Sequence, residues 1–197
     1  SRAPFDADAC AMVEDLRPAV VSFHFGLPAA ELLARVKATG APVMSSATTV
    51  AEARWLAAHG ADVIIAQGYE AGGHRGIFLD DDLSRQPGTF ALVPQVVDAV
   101  DLPVIAAGGI ADGRGIAAAL ALGAAGVQIG TAYLATSEAT ISELHRTALA
   151  EASDDASQIT NLFSGKPARG LSTRLMREIG PLSDDTPPFP TAGGALA

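Results

Sequence analysis

The chain has 197 residues, 49% of them hydrophobic and 18% charged, a composition that supports a sizeable apolar core. Its 13 Lys and Arg stand against 22 Asp and Glu, a formal net charge of −9, which is a poor electrostatic match for nucleic acid or an anionic membrane. The single cysteine, Cys10, excludes an intrachain disulfide framework and a cysteine-based zinc site, and no apolar run reaches the roughly 18 residues that span a bilayer.

The elements follow one another in a regular alternation. Asp6–Leu16 predicts a helix closed by Pro18. Val20–Gly26 predicts a strand and Pro28–Ala38 a helix. Val43–Ser46 is the next strand. Val50–His59 is the next helix, opened by Thr49-x-x-Glu52 in the pattern of a capping box. Strand Asp62–Gly68 precedes helix Phe90–Val100, strand Pro103–Gly109 precedes helix Gly113–Leu122, and strand Gly126–Thr131 precedes helix Ser137–Glu151. The strands are nearly continuous apolar runs, as expected of strands covered on both faces. A junction recurs between them: a helix ends in Gly, then Ala, then a strand begins, at Gly40-Ala41, Gly60-Ala61 and, more loosely, Gly123-Ala124. Gly supplies the left-handed residue that closes a helix. The recurrence implies repeated βα units over residues 1–151 and a parallel sheet. Residues 152–197 break the alternation and read as a helical or irregular extension. It has a helix-like stretch at Ser172–Ile179 and a Pro-rich tail, Pro187–Ala197, expected to be extended or mobile. A doubly wound sheet and a (β/α)8 barrel both fit, although five strands are few for a barrel of about 250 residues.

Three strand ends carry chemistry. Gln67-Gly68-Tyr69-Glu70-Ala71-Gly72-Gly73-His74-Arg75-Gly76 follows an apolar strand, so it sits on the functional face of a parallel α/β fold. The paired Gly72 and Gly73 permit close backbone approach to a ligand, and His74 is the ionisable group there with an ordinary pKa near neutrality. Next, Gly108-Gly109 ends a strand just before a helix starting near Asp112, where free amides and the helix dipole favour an anion. Third, Gln128-Ile129-Gly130-Thr131 takes another strand into a small-residue turn. Adjacent loops of this kind favour a phosphate site. His24, between Phe23 and Phe25, either points into a barrel interior, toward a substrate, or is a satisfied core histidine. His59 reads as a helix C-terminal residue, His145 as solvated, and Asp80-Asp81-Asp82 as a solvated acidic run. Nothing in the sequence calls for a metal. No signal-peptide pattern opens the chain, and the cytosol is the expected compartment.

Together these segments resemble the nitronate monooxygenase family, also called 2-nitropropane dioxygenases, which are FMN-dependent (β/α)8 enzymes. The resemblance rests on Gln67-Gly68-x-Glu70-Ala71-Gly72-Gly73-His74-x-Gly76, Ala107-Gly108-Gly109-Ile110 and Gln128-Ile129-Gly130-Thr131. It extends to Ser22–Pro28 and to Ser164-Gly165-Lys166-Pro167-Ala168-Arg169-Gly170. It implies an α/β fold of TIM-barrel type, here incomplete, with about five βα units matching the fourth to eighth strands of the family. The missing N-terminal barrel half is then expected from the same polypeptide or another chain. It implies FMN as cofactor: Gln67 bonded to the flavin ring, Gly72 lying against it, and Gly109 with the Gln128–Thr131 turn on its phosphate. It implies His74 as the general base, or as a group that binds the nitronate oxygens. The implied reaction is oxidation of alkyl nitronates or nitroalkanes with O2 to carbonyl compounds and nitrite. Two alternatives stay open: a flavin-dependent enoyl-acyl-carrier-protein reductase of the same fold, and a non-catalytic barrel remnant that binds a phosphate ligand.

Overall fold

The structure, a computed structural model, describes residues 4–195. Residues 1–3 and 196–197 lie outside the described residues, and with them the outer ends of the segments 1–151 and 152–197 and of the Pro187–Ala197 tail. The chain forms two compact units. The first is the chain up to Tyr69 together with Gly76–Gln128, and the second is Glu70–Arg75 together with the chain from Ile129 onward.

In the first unit, helix α1 (Ala7–Leu16) is capped by the Asp6 carboxylate, which accepts from the Ala9 amide at 2.9 Å. Strand β1 (Val21–Phe23) leads to helix α2 (Ala30–Ala38), β2 (Val43–Ala47), α3 (Val50–Ala58) and β3 (Val63–Gln67). In the second unit comes the short strand β4 (Gly73–His74). The first unit resumes with α4 (Thr89–Val97), β5 (Val104–Ala107), α5 (Gly113–Ala121) and β6 (Gly126–Gln128). The five longer-range strands form one sheet, order β1-β2-β3-β5-β6, and every neighbouring pair is parallel. That is the order expected from the βα repeat, with β1 and β6 as the two edges. The repeated junction has its expected backbone: Gly40, Gly60 and Gly123 have φ of 86°, 103° and 94°, the left-handed conformation that a Cβ disfavours.

Packing explains why the strands are continuously apolar. Ile64, Ala66, Val104 and Ala106 of β3 and β5 are buried against Leu56 of α3 and Leu92, Val93 and Val96 of α4. A second cluster joins Cys10, Val21, Leu33, Val36 and Val43 beneath α1 and α2. Asp62 ties the starts of two strands together. Its carboxylate accepts from the Val43 amide at 2.8 Å and from Lys37 Nζ at 2.7 Å, and Lys37 also reaches the Gly60 carbonyl at 2.8 Å.

The second unit contains α6 (Glu143–Ala150), β7 (Ser157–Thr160), β8 (Ala168–Leu171), α7 (Arg174–Ile179) and α8 (Ala192–Ala195). A three-stranded antiparallel sheet, order β4-β8-β7, organises it. The sequence pattern predicts none of these strands: β4 finds its partner β8 far along the chain, and β7 and β8, although they pair across the short 161–167 loop, lack the near-continuous apolar runs of the first unit's strands. The helix expected over Ser137–Glu151 is also shorter. The guanidinium of Arg146 donates to the carbonyls of Leu134, Thr136 and Ala139 at 2.9–3.2 Å, and of these Ala139 lies within the expected helix, where its carbonyl would otherwise turn toward residue 143. The helix instead starts after the N-cap Ser142. Part of the tail is ordered rather than extended, since α8 places Ala192 in a buried position. No helix among the described residues is long and apolar enough to cross a membrane.

Candidate functional site

In the first unit the parallel strands deliver their C-terminal ends to one side. β1 ends at Phe23, not at Gly26. Phe25 and Gly26, with φ of 67° and 90°, turn the chain away, and His24 stands exposed just beyond the strand. It is neither a strand residue nor a core histidine. Its Nδ1 lies 3.0 Å from Ser46 Oγ, at the end of β2. Gln67, the last residue of β3, is buried, and its side-chain oxygen accepts from the Gly76 amide at 2.7 Å. Gly76 packs so closely that a Cβ there would come within 2.8 Å of the Ser46 Cβ and 3.0 Å of His24 Cε1. His24, Ser46, Gln67 and Gly76 therefore form one cluster at the ends of β1 to β3.

Gly108 and Gly109 follow β5 with φ of 110° and 68°, so side chains are disfavoured at both positions. Thr89 Oγ1 donates to the Gly108 carbonyl at 2.9 Å. The N-terminus of α5 itself is already served. Asp112 accepts from the amides of Arg114 and Gly115 at 2.9 and 3.3 Å, and its negative charge is paired with the Arg114 guanidinium. The hydrogen bond from the Arg114 side chain, with those from the Gly115 and Arg114 amides, holds the Asp112 carboxyl below the usual carboxylate range. The expected anion cradle thus narrows to the glycine turn before the helix. Gln128 ends β6 in register with Ala107.

In the second unit, Gly130 is exposed and starts a 3-10 turn over Thr131–Ala135. Thr131 Oγ1 lies 2.8 Å from where a Cβ on Gly72 would stand, so these two sequence-selected residues are neighbours. Gly73 and His74 form β4, paired antiparallel with Arg169 and Ala168 of β8. The turn that feeds β8 brings Ser164 to His74, with Oγ 2.8 Å from Nε2. The Arg75 amide bonds the Pro167 carbonyl at 2.9 Å, and the Arg75 side chain is fully buried. The Phe189 ring packs edge-on against the His74 imidazole, centroids 5.7 Å apart at 82°. Gly165 makes this approach possible, because a Cβ there would come within 2.4 Å of Phe189 N and the Pro187 carbonyl.

Sequence reasoning gives Ser164, Phe189 and Glu52 no role at a site. In the sequence Glu52 reads only as part of a capping box. The Thr49 hydroxyl does accept from the Glu52 amide, at 3.2 Å. The carboxylate, however, reaches Thr48 rather than the Thr49 amide, and also binds the amides of Phe78 and Leu79. Ser164 stands in the sequence only as the first residue of the family-like Ser164–Gly170 segment, and Phe189 only within the Pro-rich tail. His59 accords with its expected place: Nδ1 is 2.7 Å from the Trp55 carbonyl, and its ring stacks on Trp55 at the end of α3. His145 is exposed, as are Asp80, Asp81 and Asp82, of which Asp80 pairs with Arg85. Among the described residues no group of three or more His, Cys, Asp or Glu could hold a metal ion.

The sequence model of the nitronate monooxygenase family matches residues 4–195. A probable nitronate monooxygenase of Staphylococcus aureus (strain Newman) is 46% identical over 173 residues, 87% of this chain and 48% of its own length. One of Staphylococcus saprophyticus is 40% identical over 185 residues, 93% of this chain and 52% of its own. Among solved structures, nitroalkane oxidase from Streptomyces ansochromogenes is 46% identical with a TM-score of 0.83, over 88% of this chain and 50% of that one. FabK from Thermotoga maritima is 36% identical with a TM-score of 0.77, over 91% and 54%. The chain spans about half the length of the curated relatives it matches.

Proposed function

The chain belongs to the nitronate monooxygenase family, and on that premise we propose that it serves the FMN-dependent oxidation of alkyl nitronates or nitroalkanes by O2 to carbonyl compounds and nitrite. The scaffold in this reading is of (β/α)8 barrel type, to which the five parallel strands contribute consecutive βα units. The observation that carries the proposal is the 46% identity to a nitroalkane oxidase over 88% of the chain.

The residues present fit the proposed cofactor. Gly108 and Gly109 hold a turn whose left-handed backbone disfavours side chains, which suits an approaching phosphate. Gly130 has open space where a Cβ would stand, which suits the same group. Gly108 and Gly109 are assigned to holding the phosphate, and the family resemblance implies the same role for Gln128, Ile129, Gly130 and Thr131. Gly72 and Gly73 lie against the ring in this assignment. Gln67, buried at the end of β3 with its side-chain oxygen on the Gly76 amide, is assigned to the flavin ring. The flavin, when bound, supplies the redox chemistry. His74 removes the acidic proton next to the nitro group, or hydrogen-bonds the nitro oxygens when the anion arrives preformed. His24, at the end of β1, is a second group assigned to the substrate.

The test is His74→Ala. Flavin should be retained, and turnover of neutral nitroalkane should fall by about 10²–10⁴-fold. Turnover of preformed nitronate should fall much less, because that substrate needs no deprotonation. Equal losses on both forms would make His74 a binding group only, and no loss on either would move the role elsewhere. Anaerobic bleaching of the flavin by NADH, with none by nitronate, would replace this reading with that of a reductase.

A further inference from the structure

We infer that Ser164 sets the tautomer of His74, protonating Nε2 and leaving Nδ1 as its basic nitrogen. The catalytic consequence, though not the tautomer itself, rests on the reading of His74 as proton acceptor. Ser164 is buried, and its hydroxyl oxygen has close polar neighbours on three sides. His74 Nε2 is 2.8 Å away, the Lys166 carbonyl 3.1 Å and the Lys166 amide nitrogen 3.3 Å. A hydroxyl has one proton to give and two lone pairs to receive. The carbonyl can only accept, so it takes the hydroxyl proton. The amide can only donate, so it uses one lone pair. The remaining lone pair faces Nε2, and all three contacts are satisfied when Nε2 carries a proton and donates it. The opposite assignment, with the hydroxyl donating to Nε2, leaves Oγ and the carbonyl oxygen 3.1 Å apart with no proton between them. In a buried position that repulsion is poorly screened.

A neutral imidazole protonated on Nε2 carries its lone pair on Nδ1. When Nδ1 takes a proton, the Nε2–H bond to Ser164 stays in place and becomes charge-assisted, which strengthens it without any heavy-atom movement. The backbone fixes both partners beforehand. His74 is paired with Ala168, and the Ser164–Pro167 turn is held to the Arg75 amide through the Pro167 carbonyl. The Phe189 edge restrains the ring as well. Ser164 is therefore a positioning residue: it acts through His74 and has no part in touching the reacting atoms.

The experiment is long-range 1H–15N correlation on the full chain labelled at histidine nitrogen, with flavin bound. The His74 signals are those missing from His74→Gln. Wild type should show neutral His74 protonated on Nε2, with a slowly exchanging N–H proton. That proton should be lost to exchange in Ser164→Ala and kept in Ser164→Thr. A neutral His74 protonated on Nδ1 in wild type overturns the inference and needs no variant to be folded. An Nε2 proton equally protected in Ser164→Ala overturns it too. In turnover, Ser164→Ala should lower kcat on neutral nitroalkane about tenfold with KM little changed, because a charge-assisted bond is missing when the imidazolium forms. Ser164→Thr should restore most of that rate. Full turnover in His74→Gln would defeat the functional reading while leaving the tautomer result to stand by itself.

Discussion

Glu52 is 1% exposed, and its two carboxylate oxygens take four hydrogen bonds. One oxygen accepts from the Thr48 amide and hydroxyl at 2.6 and 2.7 Å, the other from the Phe78 and Leu79 amides at 2.7 and 3.2 Å. Gln86 completes the cluster by donating to Thr48 Oγ1 at 2.8 Å. An amide in place of the carboxylate turns an NH2 group toward donors on one side. Glu52→Gln should therefore cost about 2–4 kcal/mol, read as a lower urea midpoint with unchanged slope. Gly76 makes a parallel point about space. Gly76→Ala should cost about 1–3 kcal/mol in the same assay, because the new Cβ must displace Ser46 and His24. A loss below 0.5 kcal/mol, as at an ordinary surface site, would show that the cluster yields easily. At this scale the sequence was informative where a residue type is rare in its context, as with His74 between glycines. It placed Glu52 in a capping box and Ser164 in a family-like segment but gave neither its structural role, because their types are common and their partners are brought in by folding.

At the scale of elements, caps and strand starts were the most legible features. Thr49, read as a cap, and Asp112, read as a helix start, each receive an amide of the helix they precede, and so do Asp6 and Thr173, through a local geometry confined to four residues. Asp62 at the entry to β3 shows how such a residue couples to pH. Burial pushes its carboxyl up, but the hydrogen bonds from Lys37 and the Val43 amide, with the Lys37 charge, outweigh this and hold it below the usual carboxylate range. A carboxyl depressed by folding stabilises the fold fully above its unfolded pKa of about 3.9, and that contribution is lost as pH falls through the folded value. Asp62→Asn should therefore be less stable than wild type at pH 7, and the gap should close in strong acid. The Asp62 side chain is 39% exposed and solvent screens the pair, so the gap at pH 7 should stay under about 1 kcal/mol. A gap that widens in acid would contradict the assignment. Elements set by side-chain contacts and strand pairing rather than by an apolar pattern were not legible. The Ser137–Glu151 helix pattern was cut short by the Arg146 contacts, and β4, β7 and β8 carry no period of their own.

For the molecule as a whole, net charge and the proposed cofactor pull in opposite directions. A formal charge of −9 would repel the dianionic phosphate of FMN at long range, while the glycine turns proposed to hold that phosphate would attract it at contact. Salt screens the first effect more than the second, because the Debye length shrinks from about 30 Å at 0.01 M to about 8 Å at 0.15 M. Flavin titrations across that range should show FMN binding strengthening with salt, with riboflavin, which lacks the phosphate, nearly unaffected. FMN binding that weakens steeply with salt would mean that unshielded cations dominate the phosphate site. Gly109→Val is the companion test: the branched side chain cannot take the left-handed backbone cheaply, and flavin retention should be lost.

The sequence by itself determined the parallel sheet, its strand order, the left-handed glycine junctions and the segment that carries His74. Each of these is written in short-range pattern: apolar runs, helix stops, and glycines at strand ends. Tertiary structure alone decided the antiparallel sheet of the second unit, the shortened α6, and the partners of the chemistry-bearing side chains. His74 meets Ser164 and Phe189 only because β4 pairs with β8 and Gly165 admits the backbone of Pro187–Phe189. The physical reason is that a hydrogen bond between residues far apart in the chain leaves no periodic trace in the residues between them. It is specified by the sum of packing that closes the chain and not by any local stretch.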